Sequence, residues 1–443
     1  MIGIIMFVAA LLMLATGYPV AFTFGSVSIF FGIFAAIISL MPDFNVALIS
    51  EEFFQMFSMM PFRVYSIMNN TILMAIPLFI LMGIILQKSQ LAERLLEAMG
   101  VLFGKIRGGV AVSTVLVGTL LAASTGVVGA SVVAMGVISL PVMLKYGYSK
   151  KLATGTICAA GTLGQIIPPS IVLIILGDVF QLPVGDLFQA AVTPGLFLVV
   201  VYIVYILVWS FINKDVAPPL PAQTGSRAGN IKRAILAIFP PLTLIVLVLG
   251  SIFIGIATPT ESAAVGSIGA IVLAAMYQKL SWRIIEESAL ETVKITAMVF
   301  AILIGATAFS MVFVYSGADS IVEEVLTNLP GQKWTFLLLS MLTIFILGFF
   351  IDFIEISYIV VPIILPIAHI IGLDPLWFAI LIAMNLQTSF LTPPFGFSLF
   401  YLKGVCPPEV RTLDIYRGVI PFILIQVIVL ISMVVFPGFY GFE

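Results

Sequence analysis

The chain has 443 residues, 61% of them apolar and 9% charged, with a net charge of −2. That balance excludes a soluble domain of this size, and nucleic acid is not expected as a partner. Cys158 and Cys406 sit in unrelated contexts and read as small core residues rather than a metal or disulfide pattern.

Many apolar runs reach the ~20 residues needed to cross a bilayer. Met1–Thr16 is apolar, lacks a basic flank and leads through Gly17-Tyr-Pro19 into a second long run. It reads as a retained first helix, not a cleaved signal. Asn45–Phe62 and Leu91–Arg107 have apolar faces at helical spacing and are expected to lie in the membrane interface, as is Ile284–Val293 further on. Val110–Leu144 is too long for one helix and has a small, polar tip, Ser124-Thr-Gly-Val-Val-Gly-Ala-Ser131. We expect a helical hairpin over 110–144 that turns back at mid-membrane, a turn tolerated only against protein or a water-filled cavity. Two full crossings would leave the charge count below unchanged.

The next segment, 151–180, contains Gly161-Thr-Leu-Gly-Gln-Ile-Ile-Pro-Pro-Ser170. Pro168 and Pro169 have no N–H, and their rings clash with the preceding turn, so a helix cannot run straight through them. Segments 187–211, 234–256 and 260–278 read as full crossings, and the hydrophilic stretch 213–232 as a linker. Thr258-Pro-Thr-Glu261 matches a capping box with Pro at the first helical position. A second hairpin is expected over 335–370, its tip reading Gly348-Phe-Phe-Ile-Asp-Phe-Ile-Glu-Ile-Ser357. A second broken helix, over 375–403, carries Leu386-Gln-Thr-Ser-Phe-Leu-Thr-Pro-Pro-Phe-Gly396.

Charge placement sets an orientation. With Lys145, Lys150 and Lys151 placed in the cytoplasm, 17 of the 19 basic residues fall on that side, Arg63 and Lys333 being the exceptions. This obeys the positive-inside rule and puts both termini outside. The two halves also correspond. Pro141 to Pro169 is 28 residues, as is Pro366 to Pro394, and a charged amphipathic stretch precedes each hairpin. The first hairpin opens from the cytoplasm and the second from outside. The expected fold is therefore all-α and polytopic, with two inverted repeats, 1–212 and 233–443, around the 213–232 linker. Paired broken helices in such halves point to an ion and substrate site at the repeat interface.

Residues near the breaks suit that role: Thr162, Gln165, Ser170, Asn385, Gln387, Thr388, Ser389 and Thr392 bring neutral oxygens into an apolar region. Several motifs, taken in order, resemble the large (DctM-type) membrane subunit of tripartite ATP-independent periplasmic (TRAP) transporters, within the ion transporter superfamily. They are Gly164-Gln-Ile-Ile-Pro-Pro-Ser170, Thr258-Pro-Thr-Glu-Ser-Ala-Ala-Val-Gly266, Phe350-Ile-Asp352 and Asn385-Leu-Gln-Thr-Ser-Phe-Leu-Thr-Pro-Pro-Phe-Gly396. The resemblance covers essentially the whole chain. It implies a sodium-driven importer of organic acids in the bacterial inner membrane, working by an elevator mechanism. It also implies two partners: a periplasmic substrate-binding protein and a small four-helix membrane subunit, expected as a separate chain.

Sodium is a hard cation and favours oxygen ligands. Half-helix C-termini direct partial negative charge at a cation, and half-helix N-termini attract a carboxylate. One sodium is therefore expected between Ser124, Thr125, Gly126 and the stretch from Gly164 to Pro168. A second is expected between Gly348 and the stretch containing Thr388, Thr392 and Pro393. Asp352, Gln165, Asn385, Ser389 and Ser131 are the expected substrate contacts. The plainer reading is that these hydroxyls bond back to their own helices or join helices together. Asp352 is the sharpest single residue, because an acid at membrane depth usually faces a pathway or a partner; Glu355 shares its helical face.

Two other classes compete. A carrier of the same superfamily could work without a binding protein. An intramembrane enzyme would need a nucleophile–His pair, an aspartate pair or a metal site; the single histidine, His369, lies far from any nucleophile. No Walker motif is present, so ATP is not expected as the energy source.

Overall fold

A computed structural model describes residues 1–41, 45–220 and 227–442. Among them every regular element is helical. Eight helices are long and apolar enough to cross a membrane, or nine spans if one bent pair counts as a span. Both candidate hairpins and both helix breaks are present.

The chain opens with α1 (Ile2–Ala15), α2 (Val20–Ser39), α3 (Val46–Met56) and α4 (Met60–Met68). Gly17, at φ +87°, takes the left-handed turn between α1 and α2. Asn45 caps α3 by accepting from the Ala47 N–H. Next come α5 (Ala75–Lys88) and α6 (Leu91–Phe103), then the first hairpin, α7 (Gly109–Thr125) and α8 (Val128–Lys145). The first broken helix is α9 (Lys150–Thr162), a 3₁₀ turn at Leu163–Gln165 and α10 (Ile171–Phe180). Then follow α11 (Val184–Ile212), α12 (Arg227–Phe253), α13 (Pro259–Met276), α14 (Trp282–Tyr315) and the short α15 (Ala318–Thr327). The second hairpin pairs α16 (Gln332–Leu347) with a return arm of α17 (Phe353–Glu355), a π-helical turn (Ile356–Val360) and α18 (Val361–Ile370). The second broken helix is α19 (Pro375–Leu391) and α20 (Phe397–Val405), and α21 (Thr412–Val435) follows.

Three details differ from the sequence reading. The expected linker is shorter, because α12 begins at Arg227; residues 221–226 lie outside the described residues. Charged residues at the wet end of a membrane helix cost nothing to keep helical, and no proline intervenes before Pro240. Ile284–Val293 is the start of the 34-residue α14 rather than a separate interfacial helix, since neither Gly nor Pro interrupts 283–304. The first hairpin's arms have 17 and 18 residues, where a turn-back at mid-membrane would need arms of only half the ~20 residues of a full span. At 1.5 Å per residue each is about 26 Å, close to the ~30 Å hydrocarbon thickness.

The chain divides into two compact units. The first contains residues 1–73, 179–181 and 294–375. In it a Cβ on Gly305 of α14 would lie 2.7 Å from the Ala21 carbonyl oxygen of α2, so glycine is what permits this close crossing. Phe24 meets Phe309 edge to face at 5.1 Å across the same contact.

The second unit contains residues 74–178, 182–293 and 376–443. The first part of the expected linker straps the base of the first hairpin: Gly108 N–H donates to the Ala217 carbonyl, Ser149 N–H to Val216 and Leu220 N–H to Gly104. Tyr148 accepts from the Val110 N–H at 3.2 Å, tying the start of one arm to the end of the other. The capping box at the start of α13 is formed, with Thr258 and Glu261 bonded reciprocally and both exposed. Outward faces are apolar: Leu196, Val200, Val204 and Val208 make an exposed stripe at i, i+4 spacing along α11. Such a stripe suits lipid rather than water.

Candidate functional site

The first break lies in the most enclosed part of the second unit. Every residue from Leu152 to Leu176 is buried. Small residues let three neighbours close on α9. A Cβ on Gly118 of α7 would lie 2.7 Å from the Ala160 Cβ, one on Gly161 would overlap Val132 of α8, and one on Gly155 would overlap the Gly418 carbonyl oxygen of α21. Both arms of the first hairpin therefore grip the first broken helix by backbone approach.

The hairpin tip reaches the break itself. Gly126, at φ +60°, ends α7 and donates its N–H to the Ala122 carbonyl at 2.9 Å. A Cβ on Gly164 would lie 2.8 Å from that same carbonyl oxygen, and one on Gly126 would lie 2.9 Å from Ile171 Cγ1, at the start of α10. Two residues expected to share an ion, Gly126 and Gly164, are thus brought together around the Ala122 carbonyl. Ser124 and Thr125 belong to the last turn of α7, but their side chains lie outside the described residues. Past Gly164 the backbone leaves the helix at Pro168–Pro169, a cis pair. Ser170 ties the two half-helices by donating to the Gln165 carbonyl at 2.7 Å. Ser131 is buried on α8 and donates to the Val127 carbonyl.

The second break repeats this chemistry. Its double proline, Pro393–Pro394, is also cis. Ser398, just past it, donates to the Phe390 carbonyl at 2.8 Å, as Ser170 does across the first break. The Gly396 N–H donates to the Thr392 carbonyl, and a Cβ on Gly396 would lie 2.6 Å from the Phe390 oxygen. The hydroxyls of Thr388, Ser389 and Thr392 donate to the carbonyls of Met384, Leu386 and Thr388. Donation of the hydroxyl proton leaves the oxygen lone pairs free to face a cation. Asn385 is buried in the same stretch.

Three buried glutamine amides have no hydrogen-bond partner among the described residues, and two of them lie in the broken helices, the third being Gln426 of α21. The carboxamides of Gln165 and Gln387 are fully buried, one in each broken helix, and neither side-chain polar atom of either residue has a hydrogen-bond partner among the described residues. A buried unpaired amide costs about 1–3 kcal/mol, so each calls for a ligand to offset it.

The tip of the second hairpin belongs to the first unit, and the second break to the second unit. Gly348 closes α16 with its N–H on the Ile344 carbonyl. Asp352 is half-buried and caps α17, accepting from the Phe353 N–H at 2.7 Å. Glu355 is more deeply placed than Asp352, at 2% exposure; its Oε2, and Ser357 Oγ two residues on, have no hydrogen-bond partner among the described residues. No signal beyond the helical spacing to Asp352 singles out Glu355 in the sequence. His369 is exposed in the last turn of α18.

Residues 7–439 match the family model described as "Tripartite ATP-independent periplasmic transporter, DctM component". The chain belongs to this family. It is similar to the C4-dicarboxylate TRAP transporter large permease protein DctM of Pseudomonas aeruginosa, at 32% identity over 85% of this chain and 87% of that protein. It is equally similar to the ectoine TRAP transporter large permease protein TeaC of Halomonas elongata, at 32% identity over 82% of this chain and 84% of that one. In fold it resembles the YdaH transporter of Alcanivorax borkumensis, with a TM-score of 0.62 at 14% identity, over 98% of this chain and 99% of that chain. This DctM-family chain is accordingly a multi-pass membrane transport subunit. Its relatives are permeases rather than enzymes.

Proposed function

We propose that this chain is the large membrane subunit of a sodium-driven importer of organic acids in the bacterial cytoplasmic membrane, with both termini periplasmic. It receives substrate from a periplasmic binding protein and works beside a small four-helix subunit. The two halves act as inverted repeats, and the hairpins with their broken helices carry substrate across as an elevator.

The observation that carries this reading is the meeting of the first hairpin tip with the first break, where Gly126 and Gly164 close around the Ala122 carbonyl. A neutral, buried backbone setting suits a monovalent hard cation better than a fixed carboxylate cage does. The unpaired amides of Gln165 and Gln387 supply donors for a substrate carboxylate and acceptors for its other polar groups. Asn385, Ser389 and Ser131 complete the proposed substrate set of the second unit; Asp352 is proposed separately, as a substrate contact of the first unit. The relatives' names span a dicarboxylate and ectoine, both of which carry a carboxylate. The test is reconstitution of this chain with a small subunit and candidate binding proteins. Uptake of an organic acid that requires both the binding protein and a sodium gradient is the expected result. Uptake that ignores sodium, or proceeds without any binding protein, would overturn the respective part.

A further inference from the structure

Away from the breaks, the second unit contains a cavity of about 730 Å³ that none of the transport chemistry uses. Two cations sit on its lining. Arg94 of α6 lies over the Tyr277 ring at 5.2 Å, and Lys145, the last residue of α8, over the Tyr146 ring at 5.8 Å. Neither forms an ion pair with a carboxylate among the described residues. Among the described residues Glu97, three residues beyond Arg94, is the one carboxylate on the lining, so positive charge prevails there. The remaining wall is apolar: Leu96, Val110, Val142, Leu220 and Leu236.

Cations at an apolar hollow fit an amphiphile with an anionic head. A free phosphate would gain nothing from Leu220 or Leu236 and would leave most of the volume unfilled. Arg offers a planar fork to phosphate oxygens and Lys a mobile point charge. By the distribution of basic residues this end of α8 faces the cytoplasm, the side whose leaflet carries negative surface charge. Basic pockets between membrane helices on that side are the kind that take anionic headgroups.

We propose that this cavity binds an anionic phospholipid of the cytoplasmic leaflet. Arg94 and Lys145 hold the phosphate, and the glyceride end packs on the Leu220–Leu236 wall. The lining joins the base of the first hairpin, through Val110, Val142 and Lys145, to α6, α12 and α13. A bound lipid therefore bridges the hairpin to its flanking helices. If the hairpin moves during transport, as proposed above, the lipid opposes that motion; the binding itself does not depend on it.

The test is native mass spectrometry of the full chain in neutral detergent, titrated with phosphatidylglycerol, phosphatidylethanolamine or inorganic phosphate. Phosphatidylglycerol should bind at low occupancy number and survive delipidation better than phosphatidylethanolamine. The Arg94→Gln, Lys145→Gln double variant should weaken it about tenfold or more, the scale of two basic side chains lost from an anionic headgroup. Glu97→Gln should tighten it, a gain that misfolding cannot mimic. Equal phosphatidylglycerol affinity in all three proteins would overturn the proposal. So would a phosphate titration that competes as well as the lipid, which would make the cavity a free-anion site.

Discussion

Gly155 of α9 and Gly418 of α21 press backbone on backbone: a Cβ on Gly155 would overlap the Gly418 carbonyl oxygen, and a Cβ on Gly418 would overlap that of Lys151. Neither neighbour is a flexible side-chain end, so an added methyl must push helices apart. Gly155→Ala should therefore cost about 1–3 kcal/mol, the usual price of overpacking. Gly404, by contrast, lies within α20 with nothing in reach of a Cβ. Gly404→Ala should gain about 0.5–1 kcal/mol from helix propensity. Thermal unfolding of the purified variants checks both signs. A Gly155→Ala protein as stable as the parent would show that α9 and α21 do not pack this closely.

Gly126 is held by conformation and by space together. At φ +60° a residue with a Cβ is disfavoured by about 1–2 kcal/mol, and the new carbon would also lie 2.9 Å from Ile171 Cγ1. Gly126→Ala should thus displace the hairpin tip from the break and weaken sodium binding at the first proposed site. Adding Ile171→Val removes Cδ1, at 3.3 Å, but keeps Cγ1, so it should restore part of the loss and not all, because the closest contact and the backbone term both remain. Sodium-dependent uptake in proteoliposomes reads this out. Full recovery in the double variant would assign the whole effect to crowding.

Much of this arrangement is legible in the sequence, and the rest is not, for physical reasons. A double proline forces a break wherever it falls, so both broken helices follow from Pro168 and Pro393 alone. Thr258 and Glu261 form their capping box because that pairing is local. What the sequence hides is packing at a distance. Nothing local marks Gly155 for Gly418, or Gly118 for Ala160, because a small residue in an apolar run reads the same whether it meets lipid or another helix. Helix ends are hidden for a different reason: polar residues such as Asn230 and Lys232 belong to α12 although their composition reads as linker. Sequence reasoning names Gln165 as an expected substrate contact and leaves Gln387 as one polar residue among eight. Only burial without partners separates them from Thr388, Ser389 and Thr392, which satisfy themselves on their own helix.

Those three hydroxyls make the second sodium site testable. Thr388→Val and Thr392→Val keep the side-chain shape and remove an oxygen. The backbone carbonyls they bond, Met384 and Thr388, stay within a helix, so folding should be little affected. If the oxygens face sodium, each loss should weaken its binding by about 1–3 kcal/mol, roughly ten- to hundredfold in affinity. Uptake should fail at ordinary sodium and recover in part at high sodium. An unchanged sodium dependence in the double variant would leave the hydroxyls as helix-bonding groups only.

The buried amides give the sharpest separation of function from stability. Gln165 and Gln387 each carry a donor and an acceptor with no partner among the described residues, in stretches where every neighbour is buried. A residue kept for stability would not look like this, because an unpaired buried amide lowers stability. Leucine has nearly the same volume and no polar group to desolvate. Gln165→Leu and Gln387→Leu should therefore leave the unfolding temperature equal to the parent's or raise it, since about 1–3 kcal/mol of desolvation is removed at each site. Transport should fall steeply in both, because a substrate or ion loses a polar partner. Raised substrate should restore rate if the amide contributes to binding alone, and should not if it acts in translocation. Measuring unfolding temperature and uptake on the same preparations makes the two readings distinct. Lowered stability with normal uptake would mean that the amides serve the fold, through partners such as buried water, and would remove both residues from the proposed site.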